Sequence, residues 1–402
     1  MAVSHGFKGV SSTIDEAAEV ARALKGREGD ARVQLSDSQP VNRVISIRNK
    51  VPLEDVPIAD KLAFFQGICA AVKRHDGRIS TARASYREIT GKRYLVTSEG
   101  ASIVTDVSLM YLQCTATGAE GGVLASSRDE VAMASSGWEL FDKKEPMEKI
   151  SDRLVHKVRN QLDGVACKRG SFPCVLGPRV AGMLAHEALG HLAEADSFDS
   201  AAFAGLENKP VAPEFVTMVD SPRVRDGFGN ITHDDEGVVA RKVILIDRGT
   251  LAGQMTNREW AFKLGCRPTG NARAETYKVP PIVRMRNTYF ERGDMSLDEL
   301  LDGIKDGYYC GDVRGGQAEA NSSFQVAVQG CYEIKNGELC RPVRGLAISG
   351  VAVKSLKLID ALGKDFGMES SYCGKSDQYM PTSDGGPHVR VKKGGIVFGG
   401  GE

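Results

Sequence analysis

A long stretch of alternating residues constrains the fold of this 402-residue chain more than any other feature. From Arg78 to about Leu124 the sequence pattern has a period of two, and short glycine-containing turns interrupt it. This period is typical of half-buried β-strands, whereas an amphipathic helix repeats every 3.6 residues. The 45 glycines and the 6% aromatic content also favour sheet over a helical bundle. We therefore predict an α+β fold of antiparallel or mixed sheets with a few packed helices.

Segments of helical periodicity lie on both sides of this stretch. They predict helices at about 13–24, 59–74 and 145–162, and the first of these carries the Thr13-x-x-Glu16 spacing of a capping box. The composition changes at the polar segment 167–171, which we interpret as a domain boundary. The sequence is thereby divided into an N-terminal α+β domain at 1–165 and a strand-rich C-terminal domain at 166–402.

The C-terminal half is predicted to consist mainly of strands joined by tight turns. Hairpins are expected about Asp247-Arg248-Gly249 and about Asn336-Gly337, because an Asn-Gly pair is a strong signal for a two-residue turn. Helical patterns interrupt the strands after Pro178 and at about 257–264, 296–304 and 349–362.

Charge and cysteine content narrow the classes of function. The 52 Lys and Arg residues balance 52 Asp and Glu residues, which argues against a nucleic-acid-binding protein with a globally basic surface. The nine cysteines are odd in number and include no C-x-x-C pair, so a disulfide framework or a zinc ribbon is not expected. No apolar stretch approaches the ~20 residues that span a bilayer, and the N-terminus has no apolar signal core. We therefore expect a cytoplasmic protein that makes no membrane contact.

The residues best suited to catalysis lie on the helix that follows Pro178. His186 and His191 are five positions apart, and Glu187 directly follows the first histidine. In the zincin motif the two histidines are four apart on one helix face, and the glutamate is the general base. A spacing of five on a regular α-helix leaves the imidazoles about 140° apart. An extra residue held in a π-bulge would bring them together, and Gly190 is a suitable position for it. The spacing alone leaves both a metal site and ordinary structural histidines open.

This motif resembles the H-E-x-x-x-H motif of the TldD/PmbA metalloproteases, a family long described as modulators of DNA gyrase. Other blocks of the chain resemble the family in the same order, at 234–237, 268–271, 285–289, 315–317 and 373–375. The similarity extends from about Gly6 to the C-terminus. It is closest to the TldD branch, because the PmbA/TldE branch lacks the histidine motif.

The resemblance implies that the C-terminal domain is a zinc metalloprotease domain with three protein ligands. These are His186, His191 and Cys373, the last from the C-terminal C-G-K block, and Glu187 is implied as the catalytic glutamate. Two imidazoles and a thiolate leave the fourth tetrahedral position of Zn²⁺ for water. Glu194, three residues after His191, is a rival third ligand, but we expect it to act as an acceptor that orients an imidazole.

Two further polar segments have a structural and a functional interpretation. Segment 233–237 lacks the spacing of an EF-hand, and a polar turn before a strand is the simpler explanation. Segment 311–316 contains glycines without the dinucleotide-binding spacing. A tight loop is the simpler interpretation of this segment, and glycines beside a sheet edge that admit an extended peptide by strand addition are the functional one.

The resemblance also bears on partners and substrates. It implies a PmbA/TldE-like partner subunit and unfolded or small peptides as substrates. The chain begins almost on the segment that matches Gly6 to Leu24, whereas TldD-like proteins have further residues before it, so this departure concerns assembly and not the metal ligands. The alternatives are a non-catalytic scaffold and a regulator of DNA topology. The intact motif residues argue against the first, and the zero net charge argues against the second.

Overall fold

The structure is a computed structural model that describes residues 10–24, 33–198, 203–319 and 321–400. The α-helices of this part of the chain are α1 (Val10–Leu24), α2 (Ile58–His75), α3 (Glu139–Lys143), α4 (Met147–Asp163), α5 (Pro178–Ala185), α6 (Ala195–Phe198), α7 (Arg258–Lys263), α8 (Leu297–Leu301) and α9 (Ala352–Lys357). A π-helical turn at His186–Gly190 and a 3₁₀ turn at His191–Ala193 continue α5. None of the described helices combines the length and the apolar character needed to cross a membrane.

Strands make up the larger share of the described structure. They are β1 (Asn42–Ile45), β2 (Ile79–Val96), β3 (Ser102–Glu120), β4 (Val123–Ala134), β5 (Val165–Ala166), β6 (Gly170–Ser171), β7 (Cys174–Leu176), β8 (Met218–Ser221), β9 (Val243–Asp247), β10 (Thr250–Leu251), β11 (Ala272–Arg273), β12 (Ile282–Val283), β13 (Asn287–Phe290), β14 (Asp306–Ala318), β15 (Ser323–Lys335), β16 (Glu338–Arg344), β17 (Leu346–Val351), β18 (Ile359–Leu362), β19 (Gly367–Lys375), β20 (Gln378–Gly386), β21 (Val389–Val391) and β22 (Val397–Gly400). The predicted α+β class is confirmed.

The first sheet is the meander that the alternating residues predict. Strand β3 pairs with β2 along one edge, and β1 and β4 pair with successive parts of its other edge. Alternate residues of β3, such as Met110 and Leu112, are buried against α2 and α4. Each such side chain contributes roughly 1.5–3 kcal/mol of hydrophobic stabilisation. The helices contribute Ile68, Leu154 and Val158 to the same core.

The second and larger core lies between two sheets. One sheet has the strand order β10-β9-β8-β13-β20-β19, and the other runs β18-β21-β7-β14-β15-β17-β22-β6, with β16 and β5 attached. Helix α5 contacts β14 of the second sheet and β13, β19 and β20 of the first. A Cβ at Gly182 would lie 2.5 Å from the Gly385 nitrogen, so the glycine allows β20 to approach the helix directly. The helix that carries the histidines is therefore enclosed between the sheets.

The two cores meet at a mixed interface. Ala132 of β4 packs with Phe228 in a small apolar cluster. Beside it, the buried carboxylate of Asp129 pairs with Lys157 at 2.6 Å, and Lys157 also pairs with Asp312 of β14. Contacts of both kinds thus hold the first sheet against the C-terminal half, and the proposed division at residue 165 stays a prediction.

Both hairpins predicted from turn residues are confirmed, since Asn336-Gly337 joins β15 to β16 and Arg248-Gly249 joins β9 to β10. All four turn residues have positive φ angles, as a type I′ turn requires. The capping box at Ser296 and Glu299 is also present. The Thr13 box is not a helix start, because α1 is already helical at Val10.

The helix predicted at 349–362 is wrong. Only α9 is helical there, and strands β17 and β18 occupy the two ends. Leu346 and Ile348 alternate inward and their strand pairs with β15 and β22. The apolar residues that suggested one long helix therefore serve three different elements.

Candidate metal centre

The two histidines are brought together by a change in helix type. The amide of His191 donates to the carbonyl of His186, five residues earlier, and this bond closes a π-helical turn. The imidazole centroids lie 4.9 Å apart with an angle of 84° between the rings. The bulge predicted from the five-residue spacing is confirmed. Gly190 ends the turn against Met285, whose sulfur would lie 2.2 Å from a Cβ at this position.

Cys373 completes a three-residue cluster from a distant strand. Its Sγ lies 3.2 Å from His186 Nε2 and 3.3 Å from His191 Nε2. The three ligand atoms all lie within 4.8 Å of one another. Arg284, fully buried, donates to the carbonyls of Cys373 and Gln378 and so holds both strands of the β19–β20 hairpin. The structure thus gathers all three predicted ligands at one point.

The electrostatics of the cluster favour a thiolate. Burial raises the pKa of Cys373, but the two imidazoles more than offset this and lower it well below its ordinary value. Burial lowers the pKa of His186, whereas Cys373 raises it, with a smaller contribution from Glu187, to about 9. A thiolate between two imidazoles is a donor set that suits a divalent cation such as zinc.

Glu194 orients His191 and lies outside the cluster of three ligand atoms. His191 Nδ1 donates to its Oε2 at 3.2 Å, and this nitrogen is the one turned away from Cys373. Lys375 donates to the same oxygen at 2.9 Å, and the Met285 amide donates to the other at 3.1 Å. Burial raises the pKa of Glu194, but His191 and Lys375 lower it to about 2. The geometry agrees with an acceptor role and not with that of a rival ligand.

Asp384 is a residue that the sequence did not point to. This buried carboxylate of β20 lies 3.9 Å from His186 Nδ1, and burial raises its pKa to about 7. Asp384 Oδ2 and His186 Nδ1 are both buried without a hydrogen-bond partner among the described residues. No spacing signal relates the two positions, since they lie on separate elements that only the tertiary fold brings together.

Glu187 and the three candidate ligands line one cavity of about 570 Å³. Glu187 is partly exposed there, whereas His186 and Cys373 are 5% exposed. Most of the lining residues belong to α5 and the turns that continue it, β14 and β19, and β4 contributes Arg128 and Glu130. A carboxylate therefore faces the same cavity as the candidate ligands.

Two strand edges border this cavity. Strand β14 pairs with β15 along its length, but β7 covers its other edge only at Tyr308–Cys310. Beyond that point Gly315 and Gly316 line the cavity, and the tight-loop interpretation of this segment is wrong because both glycines lie within the strand. Strand β19, which carries Cys373, is the last strand of its sheet.

Segment 233–237 is a polar turn, as the simpler interpretation predicted. Asp234 is 3% exposed and accepts hydrogen bonds from the amides of Glu236, Val238 and Ala272. Burial, followed by the charge of Glu236, raises the pKa of Asp234 to about 7. Its contacts shape the loop and do not line the cavity.

This chain is similar to known metallopeptidases over most of its length. Sequence models of the PmbA/TldA metallopeptidase C-terminal and central domains match residues 169–397 and 51–162. A zinc metalloprotease TldD homolog of Saccharolobus solfataricus is 39% identical over 399 residues, covering 98% of this chain and 88% of that protein. A metalloprotease of Methanothermobacter thermautotrophicus is 35% identical over 363 residues, covering 90% of this chain and 79% of that protein.

The fold has also been seen before. The crystal structure of TldE from Thermococcus kodakarensis matches with a TM-score of 0.73 at 20% identity, covering 99% of this chain and 86% of that one. The matches to both family domains and the identity to these two relatives establish the family that the sequence resembles. This chain belongs to the TldD/PmbA family and is a metallopeptidase.

Proposed function

We propose that His186, His191 and Cys373 hold a zinc ion and that the enzyme hydrolyses peptide bonds with it. The observation that carries this proposal is the convergence of two Nε2 atoms and one Sγ within 4.8 Å beside Glu187. Zinc bound by such a set supplies Lewis acidity, which lowers the pKa of a bound water and polarises a carbonyl group.

Glu187 acts as the general base in this proposal. Its carboxylate accepts a proton from the attacking water and later delivers it to the leaving amine, so no covalent intermediate forms with the protein. Glu194 keeps the Nδ1 proton of His191 in place, which leaves Nε2 of that ring available as a ligand.

The substrates in this proposal are small or unfolded peptides. The open edge of β14 beyond Cys310 and the outer edge of β19 both border the cavity, so an extended chain can add to either by main-chain hydrogen bonds. Gly315 and Gly316 present no side chain that would block the approach of another backbone. Such binding favours an extended conformation over any particular side chain.

The partner and the compartment are also proposals. The similarity to a TldE structure supports a PmbA/TldE-like partner subunit, with the cavity enclosed between the two chains. All nine cysteines are free thiols, and five of them are buried, which suits the reducing cytoplasm.

One pair of substitutions tests the site. Glu187→Gln keeps the side-chain size but removes the proton acceptor, so zinc stays bound while hydrolysis falls by about 10²-fold or more. Cys373→Ser replaces a thiolate by a neutral hydroxyl, so zinc stoichiometry itself falls. The measurements are bound zinc and cleavage of an unstructured peptide, with the partner subunit added.

Two results would contradict the proposal. Full activity of Glu187→Gln, with contaminating proteases removed, would exclude this base. A zinc-loaded wild-type enzyme that cleaves no peptide beside its partner would favour the non-catalytic scaffold.

A further inference from the structure

One wall of the cavity is formed by residues that do not belong to the candidate metal site. Strand β4 of the first sheet places Arg128 and Glu130 on it. The main chain of Arg128 is fixed by Gln329, which accepts from its amide at 3.3 Å and donates to its carbonyl at 2.8 Å. Lys157 donates to the same carbonyl. This strand therefore holds the Arg128 side chain at a defined point of the cavity wall.

Arg128 and Lys375 are the Arg and Lys side chains that line the described cavity, and Arg128 has fewer hydrogen-bond partners. Lys375 already donates to Glu194, to Asp196 and to the Val283 carbonyl, so its three N–H groups have partners. Arg128 has five N–H donors and is paired in the described structure only with Glu130, at 3.4 Å through Nε.

The oxygen of Glu130 that Arg128 approaches is itself largely occupied. It accepts from the Tyr111 hydroxyl at 2.7 Å and from Gln113 at 2.8 Å. Neither Nη group of the Arg128 guanidinium donates a hydrogen bond to an acceptor among the described residues. Arg128 is about a third exposed as a side chain, so these groups remain accessible from the cavity.

Gly315 leaves room in front of this guanidinium. It lies on the open edge of β14 with φ +148°, a value that L side chains rarely adopt. A Cβ built there would point at Arg128 Nη2, 4.0 Å away. The strand edge that borders the cavity and the two free Nη groups of Arg128 are therefore neighbours.

We propose that Arg128 binds a carboxylate group of the peptide substrate and so sets which peptides this enzyme prefers. The inference rests on the proposed peptidase function and adds to it a substrate class. A planar guanidinium with two free Nη groups matches the two oxygens of a carboxylate. A peptide offers that group in two places, the C-terminal α-carboxylate and an Asp or Glu side chain.

Four versions of one unstructured peptide separate these two sources. The parent carries a single interior glutamate and a free C-terminus, and the others carry a C-terminal amide, a Glu-to-Gln change, or both. For the wild type, removal of the bound carboxylate raises KM roughly 10- to 100-fold and leaves kcat nearly unchanged, the scale of a lost charge-assisted hydrogen bond. Whichever single change has this effect identifies the source.

Three variants test whether Arg128 is responsible. Arg128→Gln binds all four peptides as weakly as the wild type binds the version without the carboxylate, and Arg128→Lys keeps part of the preference as a point charge. Arg83→Gln, an exposed change on strand β2 of the same sheet, removes the same charge from the first sheet and behaves as the wild type. The decisive readout is the ratio of KM values between peptides with and without the carboxylate. A merely structural defect would weaken the binding of all four peptides by the same factor and leave this ratio unchanged.

Binding is measured separately from cleavage. Fluorescence anisotropy with labelled peptides and the Glu187→Gln protein reports the same preference without turnover. The inference would be overturned if the wild type bound all four peptides with the same Kd and KM. It would also be overturned if Arg128→Gln kept the wild-type preference for the peptides that carry the carboxylate. Cleavage without any carboxylate preference leaves the peptidase proposal intact, whereas carboxylate-dependent binding without cleavage supports Arg128 and removes the proposed hydrolysis.

Discussion

Each imidazole of the cluster faces a buried carboxylate through its Nδ1 atom. For His191 the partner Glu194 is within hydrogen-bond range, at 3.2 Å. For His186 the facing carboxylate is that of Asp384, 3.9 Å away. His186 Nδ1 and Asp384 Oδ2 are both buried without a hydrogen bond among the described residues. A neutral imidazole that binds metal through Nε2 carries its proton on Nδ1, and a buried N–H without an acceptor is costly. A small shift of Asp384 toward His186 Nδ1 would give both histidines a carboxylate that accepts a hydrogen bond from Nδ1.

The first prediction concerns this carboxylate. We expect Asp384→Asn to weaken zinc binding by about 10- to 100-fold, because a neutral amide replaces the carboxylate that faces His186 Nδ1. Competition with a chromogenic chelator measures the affinity. Glu319→Gln removes another carboxylate from the cavity wall without contact to a ligand and leaves the affinity unchanged. Equal affinity in wild type and Asp384→Asn would exclude this support.

Gly190 carries a second prediction at this scale. A methyl group there would lie 2.2 Å from the sulfur of buried Met285 and 3.3 Å from the Ala185 carbonyl. We expect Gly190→Ala to lower the free energy of unfolding by about 1–3 kcal/mol, the usual cost of overpacking, and to weaken zinc binding by distorting the π turn. Chemical denaturation and zinc titration check both effects. Gly77→Ala, where no atom lies within 4 Å, is the matched control. A stable variant with normal zinc binding would contradict the packing argument.

The residues of the site differ in how far sequence could reveal them. His186, Glu187 and His191 are close in sequence, and known helix geometry was enough to predict the π turn that joins the histidines. Cys373 lies 182 residues from His191 and was found only through the family resemblance. Asp384 gave no signal, because its position opposite His186 depends on the packing of β20 against α5.

At the scale of elements, the periodicity of apolar residues predicted helices and strands correctly where a segment forms one element with an apolar face. The alternation around Met110 describes a strand with one buried side, and the apolar periodicity of α4 describes its face in the first core. Both elements were predicted correctly. The segment 349–362 failed because a strand, a short helix and another strand follow one another within it. In α2, Phe65, Ile68 and Val72 form the buried face, whereas Leu62 is 57% exposed.

Buried charges connect the elements that form the site. Arg179 of α5 pairs with Glu369 of β19, and so links the helix that bears the histidines to the strand that bears the cysteine. It also pairs with Asp312 of β14 at 3.0 Å. Asp129 of β4 lies 3.6 Å from the same guanidinium and binds Arg153 of α4. The network therefore joins the first sheet to the elements that carry the ligands.

A third prediction uses the pH dependence of this network. Burial raises the pKa of Asp129, but Lys157 and Arg153 lower it to about 2. A carboxyl whose folded pKa is depressed contributes stability above its unfolded pKa and loses it as pH falls through the folded value. Asp129→Asn should thus cost about 2–3 kcal/mol at pH 7, and the difference from wild type should narrow between about pH 4 and 2.

Denaturant midpoints at pH 7, 4 and 3, with both proteins in the same zinc state, measure this difference. Asp152→Asn on the exposed side of α4 is the control, since its carboxylate is 64% exposed and it should change stability little. A constant difference across the three pH values would show that Asp129 does not titrate in this window.

At the scale of the whole molecule, the cavity is formed by both halves of the chain. The candidate ligands come from the C-terminal half, while Arg128 and Glu130 come from a strand of the first sheet. The change in composition at 167–171 indicated two halves, but nothing in the sequence indicated this wall, because β4 shows only ordinary alternation. The apolar contact of Ala132 with Phe228 places β4 there, and such a contact has no local signal.

This enclosure leads to the last prediction, on the conformation of substrates. A cavity of about 570 Å³ between β4, β14 and β19 accepts an extended strand, but a folded domain cannot bring its backbone to the ligands inside. A disulfide-stabilised protein should resist cleavage when native and be cut after reduction and alkylation, although the sequence is the same. The reaction is followed by mass spectrometry, with Glu187→Gln as the inactive control and trypsin as proof that the unfolded sample is accessible. Equal cleavage of native and unfolded samples would mean that the substrate is not threaded into this cavity, since native protein could then reach the site only if β4 moved away from β14.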